Sequence, residues 1–131
     1  MEDMKHGDGA NVTGIEEHTK EFIYDGPYRE DKKHGQGQLV IKLGQRQEKY
    51  CGFFENDLYH GSGVHVNQLG DIYEGDFERG KRSGIGKLKQ TRKEFTLKYA
   101  GEFANGEFDG QGQLELISHT SAESSLPVLN R

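Results

Sequence analysis

Tyr50-Cys51-Gly52-Phe53-Phe54-Glu55-Asn56-Asp57-Leu58-Tyr59-His60-Gly61-Ser62-Gly63 reads as a strand, a turn and a second strand. Tyr50, Gly52 and Phe54 alternate, which puts them on one face of an extended chain. Glu55-Asn56-Asp57 is a short polar turn, so the two strands form a hairpin. Gly61, Gly63 and His65 are expected to share a face of the returning strand. Glycine normally weakens a strand because it gives neighbours nothing to pack against. Here it has a use, since a bare backbone lets an aromatic ring lie flat across the strand and cover it from water.

The same arrangement occurs four times. Tyr24, Tyr50, Tyr73 and Tyr99 stand 26, 23 and 26 residues apart. Two residues after each comes Gly26, Gly52, Gly75 or Gly101, and four after comes Tyr28, Phe54, Phe77 or Phe103. Glycine pairs follow at Gly35 and Gly37, Gly61 and Gly63, Gly84 and Gly86, and Gly110 and Gly112. Two residues beyond each pair stands Leu39, His65, Leu88 or Leu114. The extra residues of the first and third units fall after the second glycine, in a loop. Such agreement marks internal repeats. The opposite face, with Gln36, Gln38, Glu74, Asp76 and Glu78, is expected to be polar and solvated.

The expected fold is all-β: an elongated single antiparallel sheet of successive β-hairpins, eight strands in all. A lone hairpin is unstable, so each unit leans on its neighbours. The repeat region covers 22–117, divided as 24–49, 50–72, 73–98 and 99–117. Composition fits one thin layer. The chain has 131 residues, 31% of them hydrophobic, with no Trp, and a mean hydropathy of −0.91. Six Tyr and seven Phe argue against general disorder. The net charge of −5 disfavours nucleic acid as a partner. Cys51 stands alone, so no internal disulfide forms. Met1-Glu2-Asp3-Met4 has neither the basic start nor the apolar run of a signal peptide, and no membrane span is present. The expected compartment is the cytoplasm.

Outside the repeats, residues 1–21 read either as a flexible acidic segment or as a degenerate half-repeat built on His6-Gly7-Asp8-Gly9. Residues 118–131 carry no repeat signature and read as a C-terminal tail or linker. No capping element is visible, which makes the strand near Gln111–Leu116 an open edge, open to partners and to edge-to-edge self-association.

Tyr-x-Gly-x-aromatic followed by His-Gly-x-Gly resembles the MORN repeat (membrane occupation and recognition nexus). The closest units are Tyr50-Cys51-Gly52-Phe53-Phe54 with His60-Gly61-Ser62-Gly63, and Tyr73-Glu74-Gly75-Asp76-Phe77 with Ser83-Gly84-Ile85-Gly86. Ser83 and Asp109 depart from the histidine of the motif, and Tyr28 from its phenylalanine. Pro27 cannot donate to a ladder, so the first strand is expected at an edge or distorted. The resemblance implies an elongated sheet of hairpins that serves as a scaffold in cytoskeletal, ciliary or membrane-junction assemblies. Lipid binding lies behind the family's name, and protein binding is at least as common. Some such arrays are regulatory parts of larger enzymes.

No catalytic, cofactor or metal site is expected, and the chain is read as a non-enzyme. His34 and His60 are equivalent and are expected to bond locally in their hairpins. The glycine pairs lack a third glycine at nucleotide-binding spacing and no helix follows. Cys51 has no activating His–Asp pair. Partner-binding candidates are the aromatics Tyr50, Phe54, Tyr59, Tyr73, Phe77, Tyr99, Phe103 and Phe108. A basic stretch in the third unit comprises Arg79, Lys81, Arg82, Lys87, Lys89, Arg92 and Lys93, with Lys98 beside it. It suits a solvated face, an acidic protein surface or anionic lipid. The function expected is a protein-interaction scaffold associated with the cytoskeleton or a cilium, with a peripheral anionic-phospholipid module as the alternative.

Overall fold

The computed structural model describes residues 12–16, as backbone alone, and 20–119. Every regular element among them is a strand: β1 (Val12–Glu16), β2 (Lys20–Asp25), β3 (Tyr28–Arg29), β4 (Lys32–Lys33), β5 (Gly35–Leu43), β6 (Arg46–Glu55), β7 (Leu58–Val66), β8 (Ile72–Glu78), β9 (Lys81–Thr91), β10 (Phe95–Ala104) and β11 (Glu107–Ser118). Nine of them form one sheet in the order β1-β2-β5-β6-β7-β8-β9-β10-β11, while β3 and β4 make a small separate ribbon. All pairings are antiparallel and follow chain order. At about 4.8 Å per step, nine strands span about 38 Å across the sheet.

The hairpins turn where two successive residues have positive φ: Glu30 and Asp31, Asn56 and Asp57, Arg79 and Gly80, Asn105 and Gly106. That is the I′ pattern, whose twist matches the strands it joins.

Register explains the glycines. Gly37, Gly52, Gly63, Gly75, Gly86, Gly101 and Gly112 stand opposite one another in an unbroken row across the sheet. Two residues along runs the row Tyr24, Leu39, Tyr50, His65, Tyr73, Leu88, Tyr99, Leu114. Each tyrosine ring folds over the glycine row. A Cβ on Gly37 would lie 2.7 Å from the Tyr24 hydroxyl, and one on Gly63, Gly86 or Gly112 would overlap Tyr50, Tyr73 or Tyr99. The hydroxyl then donates to the carbonyl three residues ahead: Tyr24 to Pro27 at 2.8 Å, Tyr50 to Phe53 at 2.9 Å, Tyr73 to Asp76 at 2.8 Å and Tyr99 to Glu102 at 3.0 Å. In the last three units this ties down the register shift just after the strand's glycine.

The first glycine of each pair does something else. Gly61 and Gly84 have φ of +70° and +61°, and Gly35 and Gly110 have the same sign. A Cβ on Gly61 would meet only Phe53, at 3.4 Å. Gly61 is therefore kept for its left-handed backbone and not, as expected from alternation, for a ring above it.

Two further expectations change. The sheet has a ninth strand, because Val12–Glu16 pairs with β2 and sets Val12 opposite Tyr24. Residues 1–21 are thus not a flexible segment throughout, while His6-Gly7-Asp8-Gly9 lies outside the described residues. Pro27 distorts the first hairpin: β2 stops at Asp25, and the chain resumes in the β3–β4 ribbon. The first strand is not an edge, since β1 covers it. The core is one layer: Tyr24, Leu39, Tyr50, Phe54, Tyr73, Phe77, Leu88, Tyr99 and Phe103.

Candidate interaction surfaces

The aromatic residues form a ladder that runs along the array. Phe54 meets Tyr50 at 5.0 Å and Tyr24 at 5.3 Å. Phe77 meets Tyr73 at 5.0 Å and Tyr50 at 5.4 Å. Phe103 meets Tyr99 at 5.2 Å and Tyr73 at 5.0 Å. Each contact is edge-to-face, the arrangement that the ring quadrupole favours. Every unit is thereby joined to the one before it.

A position whose shared role the sequence does not announce, although Tyr59, Arg82 and Phe108 are among its candidates for partners, closes the ladder. Nine residues after each tyrosine a side chain covers its ring. Tyr59 stacks on Tyr50 at 3.8 Å and Phe108 on Tyr99 at 4.0 Å. The Arg82 guanidinium lies 5.7 Å over Tyr73, and the Lys33 ammonium 5.6 Å over Tyr24. Cation and aromatic alternate because either one suits the electron-rich face of a ring.

This geometry revises the partner-binding candidates. Tyr50, Phe54, Tyr73, Phe77, Tyr99 and Phe103 are buried. Their faces are taken by neighbouring rings and lids, so they build the array and present little to a partner. Tyr59 is half-buried, and Phe108 is exposed.

Tyr59 belongs to a polar group at the one place where histidine takes the position of leucine. Its hydroxyl donates to Glu48 at 3.2 Å, and His65 Nε2 donates to the same oxygen at 2.7 Å. The His65 hydrogen bond is the chief reason that Glu48 sits below the ordinary carboxylate range. A hollow of about 340 Å³ opens beside them, lined by Tyr59, His65, Asn67, Tyr73, Arg82 and Gln90 among others.

The basic stretch is not one patch. Arg92 clasps buried Asp71 through two bonds, 2.6 and 3.1 Å long. Asp71 also accepts from Asn67 at 3.1 Å, which closes the loop between β7 and β8. Arg92 holds the Asp71 carboxyl below its ordinary value. Arg82 lies on the aromatic face and donates to the Gly106 carbonyl at 2.6 Å. Arg79 sits in a hairpin turn, Lys81 directly after it, and Lys93 in the loop between β9 and β10. Only Lys87, Lys89 and Lys98 share the back face. Strand alternation scatters what is contiguous in sequence, and the register shift after Gly75 turns Arg82 toward Phe77.

The back face is less polar than expected. Ile23, Val40, Lys49, Val66, Ile72, Lys89, Lys98 and Glu115 form one of its rows. A shallow depression of about 820 Å³ lies there, lined by Ile72, Lys87, Lys89, Lys98, Ala100 and Glu115 among others. Cys51 is a free, exposed thiol on this face. His34 accepts from Arg29 at 3.5 Å within its own hairpin, whereas His60 pairs with Glu55 at 3.2 Å and also accepts from the Arg79 amide of the next unit's turn at 3.4 Å, so its bonding is not local alone. Among the described residues no group of three or more His, Cys, Asp or Glu is placed to hold a metal ion.

The far end of the sheet differs from every internal junction. Leu39 and Leu88 are 7% and 5% exposed, whereas their equivalent Leu114 is 61% exposed and Leu116 is 65%. Among the described residues nothing pairs with the outer side of β11.

The MORN repeat model matches residues 24–41, 50–66, 73–90 and 99–120, each match starting at the tyrosine that opens a unit. Together these cover more than half of the sequence. The chain belongs to the MORN repeat family. MORN arrays are generally protein- or lipid-interaction modules and generally non-catalytic. Among curated proteins none matches the chain.

Proposed function

We propose that this MORN array is a non-enzymatic protein-interaction scaffold, working in the cytoplasm within a cytoskeletal, ciliary or membrane-junction assembly. The observation that supports this reading is the outer side of β11. Phe108, Leu114 and Leu116 are large, apolar and exposed on a strand whose outer edge is unpaired among the described residues. Exposed apolar groups beside unpaired backbone invite a partner. Affinity capture with the full chain, from whole and cytoskeleton-extracted lysate, tests it. A partner that is retained by wild type and lost on Phe108→Ala supports the reading. No partner in either fraction overturns it.

A second reading rests on the back face. Lys89 stands directly opposite Lys98, with Lys87 two residues away; Glu74 faces Lys87 and Glu115 faces Lys98, yet none of the three lysines is within ion-pair distance of a carboxylate among the described residues. Like charges set directly opposite destabilise a sheet, and a bound anion relieves them. With half-exposed Ile72 and Val64 nearby, an anionic membrane surface fits. Sedimentation with phosphatidylserine vesicles should be lost in Lys89→Glu/Lys98→Glu and should fade as salt rises. Wild-type chain that stays in the supernatant at low salt sinks this reading.

A further inference from the structure

Each internal junction between units is made by the same four contacts. The leucine or histidine of one unit stands opposite the tyrosine of the next, as Leu39 does to Tyr50 and Leu88 to Tyr99. The phenylalanine of the later unit meets the tyrosine of the earlier one edge-on. A turn amide of the later unit donates to the carbonyl of the earlier unit's lid residue: Asp57 to Lys33 at 2.9 Å, Gly80 to Tyr59 at 2.8 Å, Gly106 to Arg82 at 2.9 Å. Glycine faces glycine across the junction, as in Gly37–Gly52, Gly63–Gly75 and Gly86–Gly101.

The outer edge of β11 offers one half of every one of these contacts. Leu114 waits for a tyrosine, Tyr99 for a phenylalanine edge, the Phe108 carbonyl for a turn amide, and Gly112 for a glycine. Charge narrows the match. β11 carries Glu107, Asp109 and Glu115 and no basic residue. In the register of the array, the residue facing Glu115 from outside is the one just before the incoming aromatic. Two copies of β11 laid edge to edge would place acidic strands side by side, which is unfavourable.

We infer that the outer edge of β11 accepts a strand from another protein that follows the array's own rule: a basic residue, then aromatic-x-Gly-x-aromatic. The inference rests on the scaffold reading above and adds the chemistry of the partner. The mode is β-augmentation, in which main-chain bonds hold the strand and alternate side chains select it. The occupant extends the sheet by one strand, its first ring against Leu114, its glycine opposite Gly112, which Tyr99 already covers, and its second ring against Tyr99.

The probe is a fluorescent peptide of residues 46–57 with Cys51→Ser, which places Lys49, Tyr50, Gly52 and Phe54 at the required spacing. It should bind the full chain saturably. Affinity should fall at least about ten-fold on Leu114→Lys or Leu116→Lys in the chain, and on Tyr50→Ala in the peptide. Lys49→Glu in the peptide should weaken binding, most at low salt. Leu58→Lys, at an exposed site away from the edge, should leave it unchanged. Both leucines on β11 are largely exposed, so their variants should keep the wild-type melting temperature, which is checked first. Absence of saturable binding overturns the inference, and so does equal binding by Leu114→Lys. Sedimentation showing a wild-type dimer that Leu114→Lys abolishes also overturns it, because a second copy is then the occupant. A cellular partner held equally by wild type and Leu114→Lys would sink the inference and leave the scaffold reading standing. The absence of any cellular partner would sink the scaffold reading itself.

Discussion

The hydroxyl of Tyr50 fills the space that a side chain on Gly63 would need, and it donates from there to the Phe53 carbonyl at 2.9 Å. Tyr73 stands in the same relation to Gly86, and Tyr99 to Gly112. The side chain that buries the strand is also the one that locks its register shift. Neither partner can change alone.

Gly63→Ala and Gly86→Ala should each cost about 1–3 kcal/mol or more through overpacking. Gly61→Ala should cost about 1–2 kcal/mol for a different reason, the left-handed backbone. Asparagine separates the two causes, because it tolerates positive φ but still has a Cβ. Urea unfolding should show Gly61→Asn milder than Gly61→Ala, and Gly63→Asn at least as damaging as Gly63→Ala. An unchanged midpoint for Gly63→Ala would break the ring-over-glycine account.

Burial pushes the hydroxyls of Tyr24, Tyr50 and Tyr73 up to about 12 from an ordinary value near 10. The unfolded chain gives up these protons near pH 10, and the folded chain only near pH 12. Stability should therefore be intact below pH 10 and decline as pH rises toward 12. Absorbance of tyrosinate and far-ultraviolet circular dichroism, followed together, should change in step. Tyrosines that ionise near pH 10 while the sheet persists would contradict the burial.

The sheet was legible because its determinants repeat. Tyr24, Tyr50, Tyr73 and Tyr99 announce the units, and Gly63 or Gly86 announces a covered backbone. The lids were not legible: Lys33, Tyr59, Arg82 and Phe108 share a position but no residue class, and only the geometry of a ring face unites them. Gly61 misled because alternation counts through a bulge as if it were a strand. The basic stretch misled for a different reason: contiguity groups it, whereas alternation sets Arg82 and Lys87, five residues apart, on opposite faces. Strand β1 escaped because Val12-Thr13-Gly14-Ile15-Glu16 has none of the repeat's markers. It joins the sheet by pairing with β2.

The Asp71–Arg92 pair should make the loop between β7 and β8 acid-sensitive. The Asp71 carboxyl is lowered, with the Arg92 hydrogen bond as first cause and burial opposing it. A lowered folded value contributes stability above the ordinary carboxylate range, and the contribution is lost as pH falls through the folded value. Asp71→Asn should cost about 1–2 kcal/mol at pH 7, since Arg92 is partly exposed. The gap to wild type should narrow at pH 3, measured by urea midpoints. A gap of the same size at both values would show that the charge is idle.

The lid position gives a graded test. Tyr59→Phe keeps the stack on Tyr50 and loses the bond to Glu48, for about 0.5–1.5 kcal/mol. Tyr59→Ala loses both and should cost about 2–4 kcal/mol. Thermal melts that rank the two equally would show that the stack contributes nothing.

Residue-resolved amide hydrogen exchange on the free chain tests the central claim, a sequential array whose last strand is an open edge. Amides of β6 to β10 should exchange slowly along their length. In β11 protection should alternate, slow where the amide points to β10 and near the unfolded rate where it points outward. Uniform protection along β11, equal to that of β9, would mean that the edge is covered, and it would contradict the account.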